Sequence, residues 1–125
     1  MPDLTTRQHI ETLITQFYQK AMADELIGHF FSDVIALNLD EHLPKICDFW
    51  ESTLFYKGNY SGNPMQVHIA LNQKSKMQPA HFERWLALFN QTIDELFDGP
   101  TALLAKTRAQ SIATTMQIKL LQVGN

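Results

Sequence analysis

The chain has 125 residues, of which 45% are hydrophobic and 10% are aromatic. This composition predicts one compact domain with a real core, covering residues 1–125. The formal net charge is −3 at neutral pH, and the Lys and Arg residues are scattered along the chain. The sequence therefore excludes the concentrated basic surfaces typical of proteins that bind nucleic acid or anionic membranes.

No stretch of the sequence approaches the roughly 20 apolar residues that cross a bilayer, and the N-terminal segment lacks a cationic start followed by an apolar core. We therefore expect a cytoplasmic protein. Cys47 is the single cysteine, so an internal disulfide and a cysteine-only metal cluster are excluded, which agrees with a reducing compartment. Its expected role is that of a small packing residue.

Apolar residues at spacings of three and four predict the first helix. Thr5 or Thr6 can cap this helix. Its apolar face comprises Ile10, Leu13, Ile14, Phe17, Tyr18, Ala21 and Met22. Helical spacing continues weakly as far as Phe30 and Phe31, so a bend or a second short helix is expected around Gly28.

The next helix is predicted to begin with Asp40, a favoured capping residue, and to run to about Tyr56. Pro44 would then lie in the first turn, where its missing amide proton has no intrahelical partner. His42 lies on the apolar side of this helix, one turn before Ile46. That side comprises Ile46, Phe49, Trp50, Thr53 and Leu54.

A corner and a short helix are predicted between the long helices. Residues 57–64, KGNYSGNP, are dense in turn formers. Asn63 followed by Pro64 is a cap followed by a favoured first helical residue, and it predicts a short helix that carries His68. The polar stretch 72–78 is predicted to be a loop.

Two long helices are predicted in the C-terminal part. Pro79 opens the first, which ends at Asp98-Gly99-Pro100. Its apolar stripe comprises Phe82, Trp85, Leu86, Phe89, Ile93, Leu96 and Phe97. Thr101 can cap the second. The residues at compatible spacing along it are Leu104, Arg108, Ile112, Met116 and Leu120. No segment alternates with period two for long enough to make a strand, so the predicted fold class is all-α.

These helices carry many large rings for so small a domain. The rings belong to Phe17, Phe30, Phe31, Phe49, Trp50, Phe82, Trp85, Phe89 and Phe97. Tyr18, His42 and Trp85 would also need polar partners inside the domain. A flat apolar ligand with a polar centre would supply both the contact surface and the partner.

Four segments, QFYQKAM, HLPKICDFW, GNYSGNPMQVHIAL and HFERWLALFNQTIDELF, occur in this order between about Leu13 and Phe97. In this combination the chain resembles a truncated haemoglobin, and more narrowly a group III member. None of the five glycines has a glycine neighbour, so the paired-glycine motifs of the other two groups are absent.

The resemblance implies a two-over-two helical sandwich that encloses haem b. Attachment would be non-covalent, because the sequence has no Cys-x-x-Cys-His motif. His68 matches the proximal histidine that ligates the iron. His81 competes for this role, but it shares a helix face with Trp85, which the resemblance assigns to the distal side, so His68 is preferred. His9 and His29 lie outside the matched motifs and are expected to be exposed.

The resemblance also implies the distal pocket. Tyr18, which follows a phenylalanine, matches the distal tyrosine, and His42 matches the distal-helix histidine. Trp85 matches the tryptophan whose indole reaches the distal side. Tyr18 and Trp85 can each donate a hydrogen bond toward a diatomic ligand.

Further residues are expected to hold the porphyrin. Phe31, with Phe30 as the adjacent alternative, matches the ring that packs on the macrocycle. Ile46 matches an apolar position of the distal wall, and Phe49 continues that helix face. Lys45 occupies a position from which a cation can approach a haem propionate.

The implied function is binding of oxygen, NO or CO at a five-coordinate haem iron, for scavenging, carriage or sensing by a monomer. The alternative is a redox enzyme, peroxidase-like or an NO dioxygenase. Such an enzyme would need an external reductase, because the sequence has neither a flavin domain nor a nicotinamide motif. A third possibility, a haem-free helical interaction module, would require a broad exposed apolar groove.

Overall fold

The computed structural model describes residues 1–29, 39–55 and 78–123, with only the helix backbone described at 39–42 and 120–123. These residues form four helices and no strand. The helices are α1 (Arg7–Ala23), α2 (Leu39–Phe55), α3 (Pro79–Leu96) and α4 (Pro100–Val123). Within the described ranges, no helix is long and apolar enough to cross a membrane. The short helix predicted to carry His68 lies outside the described residues.

The helices pack as two pairs. α1 packs against α2, and α3 packs against α4, while α1 contacts α3 and α2 contacts α4 across the two layers. This arrangement confirms the predicted all-α class and the two-over-two sandwich. The core lies between the layers, where the apolar faces of all four helices meet.

The predicted cap and most of the predicted face of α1 are confirmed. The Thr6 hydroxyl accepts a hydrogen bond from the backbone N–H of His9 at 3.0 Å. The buried residues are Ile10, Leu13, Ile14, Phe17, Tyr18 and Ala21. Met22 was predicted to join them but is 37% exposed, because neighbouring helical residues point about 100° apart and Ala21 takes the inward position.

The expected start of α2, with Asp40 as its cap, is wrong. The described helix already includes Leu39, so Asp40 lies inside the helix instead of capping it. Pro44 consequently lies inside the helix. Its missing N–H leaves the carbonyl of Asp40 without the usual intrahelical partner.

The predicted apolar side of α2 divides into two faces. Cys47, Trp50 and Leu54 are buried in the core. Ile46, Phe49 and Thr53 are only half-buried. Each set follows a spacing of three and then four, so the two sets form adjacent parallel stripes. α2 therefore uses one stripe to hold the fold together and leaves the other partly uncovered.

The boundaries of α3 are as predicted, but the cap of α4 is not. Pro79 opens α3, and α4 begins at Pro100, so Thr101 lies inside the first turn. The carboxylate of Asp3, near the other end of the chain, accepts hydrogen bonds from the backbone N–H groups of Thr101 at 3.1 Å and Ala102 at 2.9 Å. Gly99 has φ of +148°, and an added Cβ would lie 2.5 Å from Cγ of Asp3.

The buried face of α4 agrees with the prediction only at Met116. Its buried residues are mostly small: Ala102, Ala105, Ala109, Ala113 and Met116. Leu104, Arg108 and Ile112, which were predicted to form the apolar face, are half-buried beside them. Alanines carry little hydrophobic signal in a sequence, yet their small size lets neighbouring helices approach closely.

Replacing Asp3 with Ala should lower the free energy of unfolding by about 1 kcal/mol, because the substitution removes the cap of α4. Burial by itself would raise the pKa of Asp3, but the backbone N–H groups of Ala102, Thr101 and Leu4 outweigh it and lower the pKa below its ordinary value. A carboxylate with a lowered folded-state pKa contributes stability above its unfolded pKa of about 3.9 and loses it below.

Urea unfolding at several pH values would measure this effect. The difference between the wild type and Asp3→Ala should be full at pH 7 and should shrink as the pH falls below about 4. Glu83→Ala, which removes an exposed carboxylate from α3, is the control and should leave stability unchanged. A difference that does not depend on pH would contradict the charged cap.

Candidate functional site

A cluster of aromatic rings lies at the centre of the fold, and Phe89 of α3 is its middle member. Its ring stacks on Trp50 of α2 at 5.0 Å between centroids and on Trp85 at 5.6 Å. Phe17 of α1 meets Phe89 edge to face at 5.3 Å. The cluster thus connects three helices through rings that α1, α2 and α3 each contribute.

The cluster brings together two of the predicted distal residues. Trp85 is half-buried and meets Phe17 edge to face at 5.9 Å. Tyr18 contacts the same Phe17 ring at 5.5 Å and is 8% exposed. Tyr18 and Trp85 therefore contact the same phenylalanine, although they come from different helices.

The hydroxyl of Tyr18 is held in its protonated form. Burial raises the pKa of Tyr18 well above its ordinary value, and the nearby Cys47 adds to this rise. The phenol is consequently a hydrogen-bond donor throughout the physiological pH range.

The half-buried stripe of α2 leads into a cavity. A cavity of about 300 Å³ lies between α2 and α4. Phe49 and Thr53 line it from α2, and the residues that line it from α4 are Arg108, Ser111, Ile112, Thr115 and Met116. Ile46 is half-buried one turn before Phe49, and Lys45 is exposed beside it.

The remaining predicted site residues fall at the edges of the described ranges or beyond them. His42 lies in α2, one turn before Ile46, where only the backbone is described. His68 and Phe31, with its alternative Phe30, lie outside the described residues. The assignment of His68 as the iron ligand therefore stays a prediction.

Known proteins similar to this chain identify its family. No protein-family model matches the chain. The group 3 truncated hemoglobin ctb of Campylobacter jejuni is 30% identical over 121 residues, which are 94% of this chain and 93% of that protein. The chain belongs to the group III truncated haemoglobins. The crystal structure of group III truncated hemoglobin from Campylobacter jejuni matches with a TM-score of 0.82 and 28% identity, over 96% of this chain and 95% of that one.

Membership of the truncated haemoglobins confirms the resemblance and makes the two-over-two sandwich a globin fold. It also implies haem, with its iron, as the cofactor. The described residues fit such a group in one respect: Ile46 and Phe49 on α2 are only half-buried, so they leave apolar surface that a flat macrocycle can cover.

In this truncated haemoglobin His81, the alternative candidate for the iron ligand, forms part of the cap at the start of α3. Its Nδ1 accepts a hydrogen bond from the backbone N–H of Gln78 at 2.8 Å, as part of a capping box. Its ring lies 6.0 Å from that of His29. Burial lowers the pKa of His81, and the nearby His29 lowers it further. A structural role for His81 is consistent with the choice of His68.

Two other histidines differ from expectation. His9 and His29 were predicted to be exposed, and both are half-buried. The His9 ring lies 5.1 Å from that of Phe97, and its Nδ1 accepts a hydrogen bond from the backbone N–H of Thr5 at 3.1 Å. Local capping and ring contacts that the hydrophobic pattern does not reveal explain the difference.

The single cysteine is part of the packed interior. Cys47 is 3% exposed, as expected for a packing residue. Burial raises the pKa of its thiol to about 11, against the opposing effect of the Arg7 charge. The thiol is therefore protonated at neutral pH and is a poor nucleophile.

Arg7, which the sequence analysis did not single out, joins the first turn of α1 to α2. Its guanidinium donates to Asp48 at 2.6 Å and to Glu51 at 3.2 Å. It also donates to the carbonyl oxygen of Pro44 at 3.3 Å. Since α2 carries the predicted distal residues His42 and Ile46, Arg7 helps to set the position of the distal helix. A lone arginine in a polar stretch gives no such signal in the sequence.

Replacing Arg7 with Met should lower the free energy of unfolding by about 1 kcal/mol, because three acceptors on α2 lose their donor while the apolar part of the side chain is kept. Urea unfolding would measure the loss, which should diminish in about 1 M NaCl because salt screens exposed charges. Lys20→Met, which removes a single surface pair with Glu95, should cost less. Equal losses for the two variants would contradict a special role of Arg7.

Proposed function

We propose that this chain binds haem b without covalent attachment and presents its iron to oxygen, NO or CO. Ferrous haem would supply the coordination position that a diatomic ligand takes. The observation that carries the proposal is that Tyr18 and Trp85 both contact the ring of Phe17, in a chain that belongs to the truncated haemoglobins. Two hydrogen-bond donors beside an aromatic cluster suit the recognition of a small polar diatomic.

Four residues of the chain would bind the iron or face its diatomic ligand. His68 would hold the iron through a neutral imidazole nitrogen. Tyr18 and Trp85 would donate hydrogen bonds from the distal side, and His42 would face the same pocket from the first turns of α2.

Other residues of the proposed site would hold the porphyrin. Phe31, Ile46 and Phe49 would pack on the macrocycle, and Lys45 would approach a propionate. The half-burial of Ile46 and Phe49, together with the exposure of Lys45, supports these assignments. An apolar stripe that the protein leaves partly uncovered is a surface that a flat apolar cofactor can complete.

The proposal includes the setting in which the protein works. We expect one domain that acts as a cytoplasmic monomer and scavenges, carries or senses oxygen or NO. Any repeated redox use would depend on an external reductase, since the sequence contains no flavin or nicotinamide motif.

The choice of iron ligand can be tested with two histidine variants. The purified wild type should show a Soret band and a five-coordinate ferrous spectrum. His68→Ala should lose that spectrum, because the proximal ligand is gone, and His81→Ala should keep it, because His81 caps α3. The reverse result would overturn the ligand assignment, and a wild type that binds no added haem would overturn the proposed function.

Replacing Tyr18 with Phe should accelerate oxygen release about tenfold, because one hydrogen bond to a ligand that carries partial negative charge is lost. Stopped-flow measurements would give the rate, with CO release as the control, since CO depends much less on a hydrogen-bond donor. The raised pKa of Tyr18 predicts that wild-type oxygen release shows no titration of the phenol between pH 6 and about 10. An unchanged oxygen release rate in the variant would remove Tyr18 from this role.

A further inference from the structure

Arg7 of α1 holds α2 at three points that span two helical turns. Its guanidinium donates to the carbonyl oxygen of Pro44 at 3.3 Å, to the carboxylate of Asp48 at 2.6 Å and to that of Glu51 at 3.2 Å. These acceptors are four and three residues apart, so they form one stripe along α2. The Nε of Arg7 lies 3.7 Å from the carboxylate of Glu11, one turn later in α1, which helps to orient the guanidinium.

The stripe held by Arg7 lies on the side of α2 opposite the residues assigned to the haem. Ile46 is two residues from Pro44, and Phe49 is two residues from Glu51. Two residues correspond to about 200° of rotation in an α-helix. Arg7 therefore binds the back of the helix, and its contacts leave the half-buried apolar stripe open to a cofactor.

The contact with Pro44 lies where α2 lacks a backbone hydrogen bond. Because proline has no N–H, residues 39–43 join the rest of the helix without the bond that the carbonyl of Asp40 would normally accept. His42 belongs to this segment. By donating to the carbonyl of Pro44, Arg7 holds the residue at which the segment meets the rest of α2.

We propose that Arg7 is a positioning residue that restrains rotation and tilt of α2 and thereby limits the rates at which a diatomic ligand enters and leaves the haem pocket. The inference rests on the proposed function, in which α2 covers the haem. A rotation of α2 that moves Ile46 aside shifts the stripe on the opposite side of the helix in the opposite direction, and so breaks its bonds to Arg7. Such a restraint raises the barriers to entry and exit alike and leaves the equilibrium affinity unchanged.

The rates of CO binding and release by the haem-loaded protein test the proposal. Arg7→Met keeps the apolar stem but removes the hydrogen bonds to α2. It should bind and release CO about fivefold faster than the wild type, with the same equilibrium affinity. Flash photolysis gives the association rate, and displacement of CO by NO gives the release rate. In about 1 M NaCl the wild type should move toward the rates of the variant, because salt screens the partly exposed pairs with Asp48 and Glu51.

Two further variants separate positioning from a general loss of stability. Asp3→Ala should destabilise the fold about as much as Arg7→Met, but it acts on the cap of α4, so it should bind CO at the wild-type rate. Arg7→Lys keeps the charge without the planar set of donors, so its rates should lie between those of the wild type and Arg7→Met. Arg7→Lys and the salt dependence also complete the test if Arg7→Met does not fold.

The outcomes distinguish this inference from the proposed function. CO binding at the wild-type rate in both Arg7 variants would overturn the inference, as would equal acceleration in Asp3→Ala. Faster binding with a changed equilibrium affinity would also overturn it, because Arg7 would then alter the bound state instead of the path to it. If the wild type takes up no haem at all, the proposed function fails and the inference fails with it; if only the Arg7 effect is missing, the proposed function stands.

Discussion

The position of Phe89 between Trp50 and Trp85 is the constraint on which the rest of the structure depends. Its ring stacks on both indoles and meets Phe17 edge to face. Such ring pairs contribute about 0.5–1.5 kcal/mol each beyond the area they bury. Because the rings come from α1, α2 and α3, a shift of any of these helices would break several contacts. This contact set holds Trp85 beside Phe17, and therefore near Tyr18.

The helix that carries the proposed distal residues His42 and Ile46, α2, packs into the core with one stripe and leaves a second stripe partly exposed. One stripe of α2, containing Cys47, Trp50 and Leu54, is buried in the core. The adjacent stripe, containing Ile46 and Phe49, is half-buried beside the cavity. Arg7 of α1 further fixes the packing of α2 in the core through its hydrogen bonds to α2. A cofactor on the second stripe would thus meet a helix whose position is already set by the first.

Most of the buried or charged polar groups near the site have hydrogen-bond or ion-pair partners within the described residues. The Asp3 carboxylate and the His81 imidazole are engaged in helix caps. The surface cations Arg84 and Lys106 pair with carboxylates. The Arg108 Nε is buried without an acceptor among the described residues. A cofactor that brings a flat apolar surface would complement the partly uncovered stripe of α2.

The sequence alone predicted the helical spacing of apolar residues, the Thr6 cap of α1 and the start of α3 at Pro79. These features depend on neighbours within one or two turns of the same helix. The family was readable because its motifs keep their order along the chain. Only the tertiary structure decided that Asp3, 98 residues away, caps α4, and that the buried face of α4 consists mostly of alanines. It also decided which half of the predicted α2 face is covered. These features depend on which helices meet across the layers, and the local pattern of a single helix does not contain that information.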